Sequence, residues 1–265
     1  MDQIQTMNHQ KNKELKSKKI LQLKDICFSY HSLAGETIVL NNVTFDVNEG
    51  EFIAIVGPSG CGKSTLLNII CGLTKAKSGT YIMPEDISIG YMLQHDHLFE
   101  WRTIFENVTI GLEIQNKMTK ENIDYVENLL KSYGLYEFKD KKPSELSGGM
   151  KQRAALIRTM ALHPGILLLD EPFSALDYQT RLMVSSDIGR LIRSTHKTAI
   201  LVTHNLSEAI SLADRVIVLS RRPATIKEDM EIHLTIPDDS LLGYRSAPEF
   251  QYYFNELWGL LIDEK

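Results

Sequence analysis

The sequence predicts an α/β fold in which helices cover both faces of a mainly parallel sheet. Short apolar runs, such as residues 166–169 and 216–219, alternate with helical stretches along most of the chain. Parallel strands that are buried on both faces have continuous apolar sequences of this kind. The 265 residues are 43% hydrophobic and 24% charged, which is typical of a globular protein with a sizeable core. No segment repeats at a fixed period, so the pattern indicates one such unit.

The first predicted elements form an antiparallel pair. Residues 20–30 and 37–47 are rich in β-branched and aromatic side chains, and a turn-like Ser32-Leu33-Ala34-Gly35 separates them. Residues 51–56 are a compact apolar strand that runs into a glycine-rich loop and then into an apolar helix. This order of strand, loop and helix is the first place in the chain where a functional motif is found.

The remaining elements alternate between helix and strand. The predicted helices are residues 101–115, 121–133, 149–162, 178–194, 206–213 and 248–261. The predicted strands are residues 87–92, 166–169, 198–203 and 215–219. We interpret residues 20–265 as a single domain, with a helical subdomain inserted at about 95–160 and a C-terminal extension at about 221–265. Residues 1–19 are polar and rich in lysine, and are expected to form a flexible tail.

Composition excludes several classes of protein. The formal charge of -5 and the pI near 5.9 lack the basic footprint of a nucleic-acid-binding protein, so we expect no nucleic-acid partner. Cys27, Cys61 and Cys71 are too few and too irregularly spaced for a disulfide framework or a zinc cluster, and they favour a reducing, cytoplasmic compartment. The apolar runs are far shorter than the ~20 residues that a membrane-spanning helix needs.

A phosphate-binding motif lies between the apolar strand and the helix that follows it. The pattern G-x-x-x-x-G-K-[ST] is matched from Gly57 to Ser64. Backbone N–H groups and the helix dipole favour phosphate here, Lys63 neutralises phosphate charge, and Ser64 offers a hydroxyl to Mg²⁺. A plain strand-to-helix turn is the alternative, but such a turn has no need of the lysine. The candidate phosphate ligands in and next to this loop are Gly57, Pro58, Ser59, Gly60, Cys61, Gly62, Lys63, Ser64 and Thr65.

Two carboxylates end the apolar strand at 166–169. Asp170 and Glu171 then lie at the carboxyl edge of the sheet, beside the phosphate loop. Asp170 suits coordination of Mg²⁺, and Glu171 can orient or deprotonate an attacking water. An isolated Asp-Glu pair is usually a pair of solvated loop carboxylates, but the phosphate loop upstream favours the catalytic interpretation.

The segment Leu146-Ser147-Gly148-Gly149-Met150-Lys151-Gln152-Arg153 resembles the signature of the ATP-binding cassette (ABC) ATPases. Ser147 and the two glycines open a helix, so a hydroxyl, backbone N–H groups and the helix dipole are available to a second anion. A helix cap alone explains the serine and leaves the eight-residue match unexplained.

The resemblance extends over most of the chain and implies roles for four further positions. Tyr30 resembles the aromatic residue that stacks on adenine, Gln94 the glutamine that senses Mg²⁺ and the attacking water, and His204 the γ-phosphate switch. Residues 174–177 resemble the loop that joins the two sites of a dimer. Taken singly, Tyr30, Gln94, Asp177 and His204 have structural alternatives: a packing residue, a surface amide, a helix N-cap and a satisfied polar group.

Softer similarities point to one branch of this family. Met150 replaces a common glutamine, and Asn205 replaces the aspartate that often follows the switch histidine. The first departure is familiar among importer ATPases for nitrate, sulfonate and taurine. The same branch is resembled in Leu98-Phe99-Glu100-Trp101-Arg102-Thr103, in Glu171-Pro172-Phe173-Ser174-Ala175-Leu176-Asp177 and in Ser220-Arg221-Arg222-Pro223.

This resemblance implies an ATPase that works as a head-to-tail dimer around two ATP molecules with Mg²⁺, as a homodimer or with a second ABC ATPase. It further implies integral-membrane permease subunits that dock near residues 94–107, an extracytoplasmic solute-binding protein, and a place on the inner face of the cell membrane. A soluble ABC ATPase for translation, repair or chromosome structure is the alternative. A non-enzymatic nucleotide-binding module is disfavoured because Glu171 and His204 are both present.

Overall fold

A computed structural model describes residues 18–33, 35–235 and 241–262. The predicted tail falls outside these residues up to position 17, as does Ala34 in the predicted turn. Lys19, the last residue of that predicted tail, is the first residue of a strand and pairs with Asp46 at 2.5 Å. The folded region therefore begins at least one residue earlier than predicted.

The N-terminal strands form a small antiparallel sheet. Its order is β2-β1-β4, with β1 at Lys19–Ser32, β2 at Gly35–Asn48 and β4 at Ser78–Ile82. The predicted pairing of the first two strands is confirmed. One face of this sheet is buried, which follows from the alternation of apolar residues along both strands.

The central sheet has the order β5-β6-β7-β3-β8-β9, and all neighbouring pairs are parallel except β8 with β9. Its strands are β3 Phe52–Val56, β5 Ile89–Met92, β6 Ile166–Asp170, β7 Thr198–Val202, β8 Arg215–Leu219 and β9 Ile226–Glu231. This arrangement confirms the mainly parallel sheet. Because β3, β6 and β7 are neighbours, the residues that follow these strands meet at one edge.

Helices cover the sheet and form a group between β5 and β6. Their bounds are α1 Lys63–Ile70, α2 Ile104–Ile114, α3 Lys120–Ser132, α4 Gly148–Met160, α5 Tyr178–Ser194, α6 Leu206–Leu212, α7 Leu241–Arg245 and α8 Phe250–Ile262. Short 3₁₀ helices lie at Tyr136–Phe138 and Pro143–Glu145. In the part of the chain that the structure describes, no helix combines the length and apolarity needed to cross a bilayer.

The core has two halves, one on each face of the central sheet. Along β6, Leu167 and Leu169 pack with the helices, whereas Ile166 and Leu168 pack with the N-terminal strands and α1. All four side chains are buried, as expected for a parallel strand covered on both faces. Burial on both sides fixes the end of β6, and with it the position of Asp170.

Candidate nucleotide site

The phosphate loop joins β3 to α1, where the sequence placed it. Gly62, just before the helix, has φ +122°, a conformation that side-chain-bearing residues rarely adopt. A Cβ atom there would also lie 2.7 Å from Val39 Cγ1. The loop therefore requires glycine at this position, both for its backbone angle and for its close packing on β2.

The Lys63 side chain is enclosed by the loop and is 6% exposed. Its Nζ donates to the carbonyl oxygens of Gly57 at 2.8 Å and Pro58 at 3.0 Å. These carbonyl groups hold the buried ammonium beside the N-terminus of α1. There it attracts phosphate oxygens strongly.

Ser64 and Asp170 bring two oxygen ligands together from different elements. Ser64 Oγ donates to Asp170 Oδ1 at 3.1 Å, and Tyr91 Oη donates to Asp170 Oδ2 at 3.3 Å. Burial raises the pKa of Asp170, and the two hydrogen bonds oppose that rise. Sequence reasoning missed Tyr91, because a tyrosine inside an apolar strand has the pattern of a core residue. The single hydroxyl proton of Tyr91 is shared with a second acceptor, Asn68 Oδ1 of α1, at 3.2 Å.

Glu171 stands directly above the end of β6 in an unusual backbone conformation. Its φ is +44°, in the left-handed region that non-glycine residues enter at a cost. Its backbone N–H still bonds Val202 O at 2.8 Å, which anchors it to β7. Its Oε2 lies 3.1 Å from His204 Nδ1. The predicted base and the predicted switch histidine are therefore in direct contact, and neither is buried away from the edge of the sheet.

Gln94 reaches the same region through a serine. Its Nε2 donates to Ser174 Oγ at 3.4 Å, and Ser174 Oγ donates to the backbone oxygen of Glu171 at 3.0 Å. The Gln94 side chain is exposed and follows β5, next to β6. The structure thus places Gln94, Ser174 and Glu171 in one hydrogen-bonded chain.

Tyr30 stands at the side of the phosphate loop. Its ring is 50% exposed and meets the Phe28 ring edge-on, with centroids 4.8 Å apart. Its hydroxyl lies 3.3 Å from Thr65 Oγ1 on α1. An aromatic face that is open to solvent this close to a phosphate loop can stack on a planar base.

The signature residues lie in different surroundings. Ser147 is the N-cap of α4 and accepts from Met150 N at 3.4 Å. A Cβ on Gly149 would come within 2.6 Å of Thr180 Cγ2 on α5. The phosphate loop packs instead on β2 and on the segment after β8, so the two motifs face different neighbours within one chain. The Met150 side chain packs against the core, so replacing the common glutamine by methionine at this position affects core packing.

A cation that the sequence did not single out lies over the phosphate loop. The Arg222 guanidinium sits close to Gly60, where a Cβ atom would be 3.3 Å from Arg222 Nη2. The residue belongs to the Ser220–Pro223 segment that resembles the importer branch. Its position follows from the turn between β8 and β9, an antiparallel pair that sequence reasoning did not predict.

The segment between β5 and α2 is held by a buried amide. Asn107 is fully buried; its Oδ1 accepts from Phe99 N at 2.7 Å and its Nδ2 donates to Phe99 O at 3.1 Å and Thr103 O at 2.9 Å. The large apolar side chains of this segment lie in different surroundings. Leu98 is buried, whereas Trp101 is 72% exposed. Because Asn107 is buried, it supports the predicted docking surface from beneath and is not part of it.

The residues of the site are suited to bind a nucleoside triphosphate and a divalent cation. A glycine loop, an enclosed lysine and a helix N-terminus form a cradle for phosphate. The hydroxyl of Ser64 and the buried carboxylate of Asp170 are hard oxygen donors, which Mg²⁺ prefers.

Comparison with known proteins gives a family match over residues 40–174, to the model described as ABC transporter. An uncharacterized ABC transporter ATP-binding protein, YtlC of Bacillus subtilis, is 42% identical over 90% of this chain and 94% of its own length. The nitrate import ATP-binding protein NrtD of Synechocystis is 38% identical over 91% and 94% of the two chains. The taurine import ATP-binding protein TauB of Roseobacter denitrificans is 38% identical over 92% and 94%.

A solved structure agrees with these relatives. The ATP-binding cassette MJ0796, a dimer bound to ADP and Pi in a post-hydrolysis state, superimposes with a TM-score of 0.69 and 31% identity. The match covers 80% of this chain and 99% of that chain. The relatives are named as transport or import proteins, which argues against the alternative of an ABC ATPase without a membrane partner. The fold, the phosphate loop and the relatives agree, and the chain belongs to the ABC transporter family as one of its ATP-binding ATPases.

Proposed function

We propose that this chain is the ATP-hydrolysing subunit of an importer for a small solute of the nitrate, sulfonate or taurine kind. The observation that carries the proposal is the meeting of Lys63, Ser64, Asp170, Glu171 and His204 at one edge of the sheet. The substrate class is supported by the relatives NrtD and TauB, which are named for nitrate and taurine import.

Each residue has a role in hydrolysis that its position supports. Glu171 accepts a proton from water as the water oxygen attacks the γ-phosphorus. The bond from that phosphorus to the oxygen shared with the β-phosphate then breaks, which releases ADP and phosphate. Lys63 neutralises charge on the phosphates, and His204 contacts the γ-phosphate while it bonds Glu171. Gln94 orients the water through its chain with Ser174.

Mg²⁺ would be held by Ser64, Asp170 and Gln94, and when bound it supplies charge neutralisation on the phosphate oxygens. Tyr91 supports this site because its hydroxyl fixes the second oxygen of Asp170. Tyr30 stacks on the adenine, and the backbone of Gly57 to Thr65 cradles the phosphates.

We infer a head-to-tail dimer, because Ser147, Gly148 and Gly149 lie in surroundings different from those of the phosphate loop. The second phosphate contact then comes from the signature of a partner subunit, which is a second copy or a second ABC ATPase. The dimeric state of the cassette MJ0796 supports a dimer of this chain.

Membrane permease subunits are the second kind of partner, and a solute-binding protein outside the cytoplasm completes the importer. The docking surface consists of the exposed side chains of residues 94–106, with Trp101 at its centre; Leu98 and Ile104 are buried beneath it. Trp101 is exposed on a loop whose backbone is held by the buried amide of Asn107. Tryptophans in such positions often dominate the binding energy of protein interfaces. The chain is thereby held peripherally at the inner face of the cell membrane.

Fractionation at high salt tests this assignment. Co-expressed with its candidate permease, the chain is expected to stay with the membrane, because an apolar contact persists where attraction to anionic lipid is screened. Trp101→Ala should weaken this association about thirtyfold, and Leu73→Ala, which removes another side chain with 72% exposure, should leave it unchanged. Membrane association without any permease, or equal effects of the two substitutions, would contradict the docking surface.

A further inference from the structure

A buried carboxylate lies behind the switch histidine. Glu208 is 4% exposed and is the third residue of α6. Its Oε2 accepts from Thr203 Oγ1 at 2.8 Å, and its Oε1 accepts from Asn205 Nδ2 at 3.3 Å. Thr203 and Asn205 are the two neighbours of His204, so the carboxylate bonds the chain on both sides of that histidine.

The same carboxylate faces the loop that follows Glu171. Arg181 Nε lies 4.0 Å from Glu208 Oε1. Arg181 Nη2 donates to the backbone oxygens of Ser174 at 3.3 Å and Leu176 at 3.0 Å. Through one arginine, Glu208 is thus connected to residues 174–176, the loop that also receives Gln94.

Helix capping does not explain the charge at this position. Asn205 already caps α6, because its Oδ1 accepts from Ser207 N at 3.0 Å and Glu208 N at 3.3 Å. Burial raises the pKa of Glu208, and Thr203, Arg181, His204 and Arg245 counteract that rise. Asn205 already supplies the cap, so the buried carboxylate has a further role, which its contact with Arg181 indicates.

We propose that Glu208 is a positioning residue for ATP hydrolysis, which fixes the loop of His204 relative to the loop of residues 174–176. It does not touch the nucleotide. It acts by holding His204 at hydrogen-bond distance from Glu171, which lies between the two loops. The inference rests on the proposed function, in which Glu171 takes the proton and His204 contacts the γ-phosphate.

The test separates positioning from stability with variants of two threonines at opposite ends of β7, Thr198 as its first residue and Thr203 directly after its last. Thr203→Val removes the hydroxyl that bonds Glu208 and keeps the side-chain shape, and Thr203→Ser restores a hydroxyl. Thr198→Val is the matched control, because Thr198 is at the other end of β7, has the same 2% exposure and accepts from Gly50 N at 2.8 Å. Glu208→Gln removes the charge itself. The ATPase kcat, the KM for ATP and the Tm are measured for each full-length protein.

We expect Thr203→Val to lower kcat about tenfold, because the lost hydroxyl both donates to Glu208 Oε2 and accepts from Asn205 N at 3.0 Å, with KM within about twofold of wild type. Thr203→Ser should recover most of kcat, Thr198→Val should lower Tm and leave kcat unchanged, and Glu208→Gln should also lower kcat. Equal kcat in the two valine variants, or wild-type kcat in Glu208→Gln, would overturn the proposal. Lys63→Ala is the reference: if it hydrolyses ATP normally, the proposed function itself is wrong.

Discussion

At the scale of single residues, the site combines a glycine-rich phosphate loop with a strained backbone and buried charged groups. Glu171 has a left-handed backbone, Lys63 is enclosed, and Asp170 is buried with a raised pKa. Such features cost stability and persist because the flanking strands determine them. The cost falls at the end of β6, where two core halves hold the backbone in place. The rigidity of the core is therefore what permits an unusual conformation at the predicted base.

Glu171→Gln is expected to preserve ATP binding and lower turnover by about a hundredfold or more, because general-base assistance contributes about 10²–10⁴-fold. The amide keeps the shape of the side chain and a contact with His204, but it does not take a proton at neutral pH. Turnover is measured by phosphate release, and binding by titration with a fluorescent ATP analogue.

Asp187→Asn is the control for this substitution, since it neutralises a carboxylate that pairs with Arg153 and Arg190 away from the phosphate loop. That variant should hydrolyse ATP at close to the wild-type rate. Near-normal hydrolysis in Glu171→Gln would remove Glu171 from the role of base.

At the scale of elements, the predictable parts are those in which local pattern and burial agree. The helix at Tyr178–Ser194 and the strand at Arg215–Leu219 have the predicted bounds, because their apolar residues form one face or one continuous run. The strand Ser78–Ile82 was not predicted, since all of its residues are exposed and its sequence shows no buried face. The strand Ile226–Glu231 was missed because four of its six residues are charged. The first depends on pairing with the distant strand β1, and the second on pairing with the preceding strand β8.

The same distinction applies to the site. The phosphate loop and the carboxylates after β6 are continuous in sequence, so spacing alone locates them. Tyr91 and Arg222 reach their positions through sheet order and loop packing, which no local pattern encodes. Glu208 has local partners in Thr203 and Asn205, but its proximity to Arg181 depends on the packing of two helices. Helix α2 starts at Ile104 and not at the predicted residue 101, because Thr103 and Glu106 form a capping box. This pair was present in the sequence and could have located the helix start.

The loop before α2 gives a prediction at this scale. Asn107→Ala should lower the free energy of unfolding by about 3 kcal/mol, because it leaves buried backbone groups of residues 99–103 without partners. Permease binding should weaken as well, since the same loop carries Trp101. Denaturant unfolding measures the first effect, and co-purification with the permease measures the second.

Thr119→Ala is the control, since it removes the N-cap of α3 on the exposed surface and should cost about 1 kcal/mol without loss of permease binding. If Asn107→Ala proves as mild as Thr119→Ala, or keeps full permease binding, then the amide does not organise the docking surface.

At the scale of the whole molecule, the proposed dimer assigns two half-sites to each chain, one at the phosphate loop and one at the signature. The phosphate loop packs near β2 and Arg222, and the signature helix α4 starts against α5. Two chains in a head-to-tail arrangement complete two sites at once, which links dimer closure to nucleotide binding. In the proposed importer, hydrolysis reopens the pair, and membrane subunits docked near Trp101 follow that motion.

Mixed dimers test this arrangement directly. A chain with Lys63→Ala retains a normal signature, and a chain with Ser147→Arg retains a normal phosphate loop. In a head-to-tail heterodimer, one site combines both intact motifs and the other combines both defects. We therefore expect about one ATP bound per heterodimer and restored hydrolysis, whereas each homodimer has a defect in both of its sites.

The heterodimers are isolated with two different affinity tags, and bound nucleotide is counted after gel filtration. Ser144→Arg replaces Ser147→Arg in a control pair, because it introduces the same charge three residues before the signature serine and should leave both signatures usable. If instead each chain formed a complete site from its own residues, every site in the mixture would contain one defect. Hydrolysis would then stay at the level of the two homodimers, and the head-to-tail dimer would be wrong.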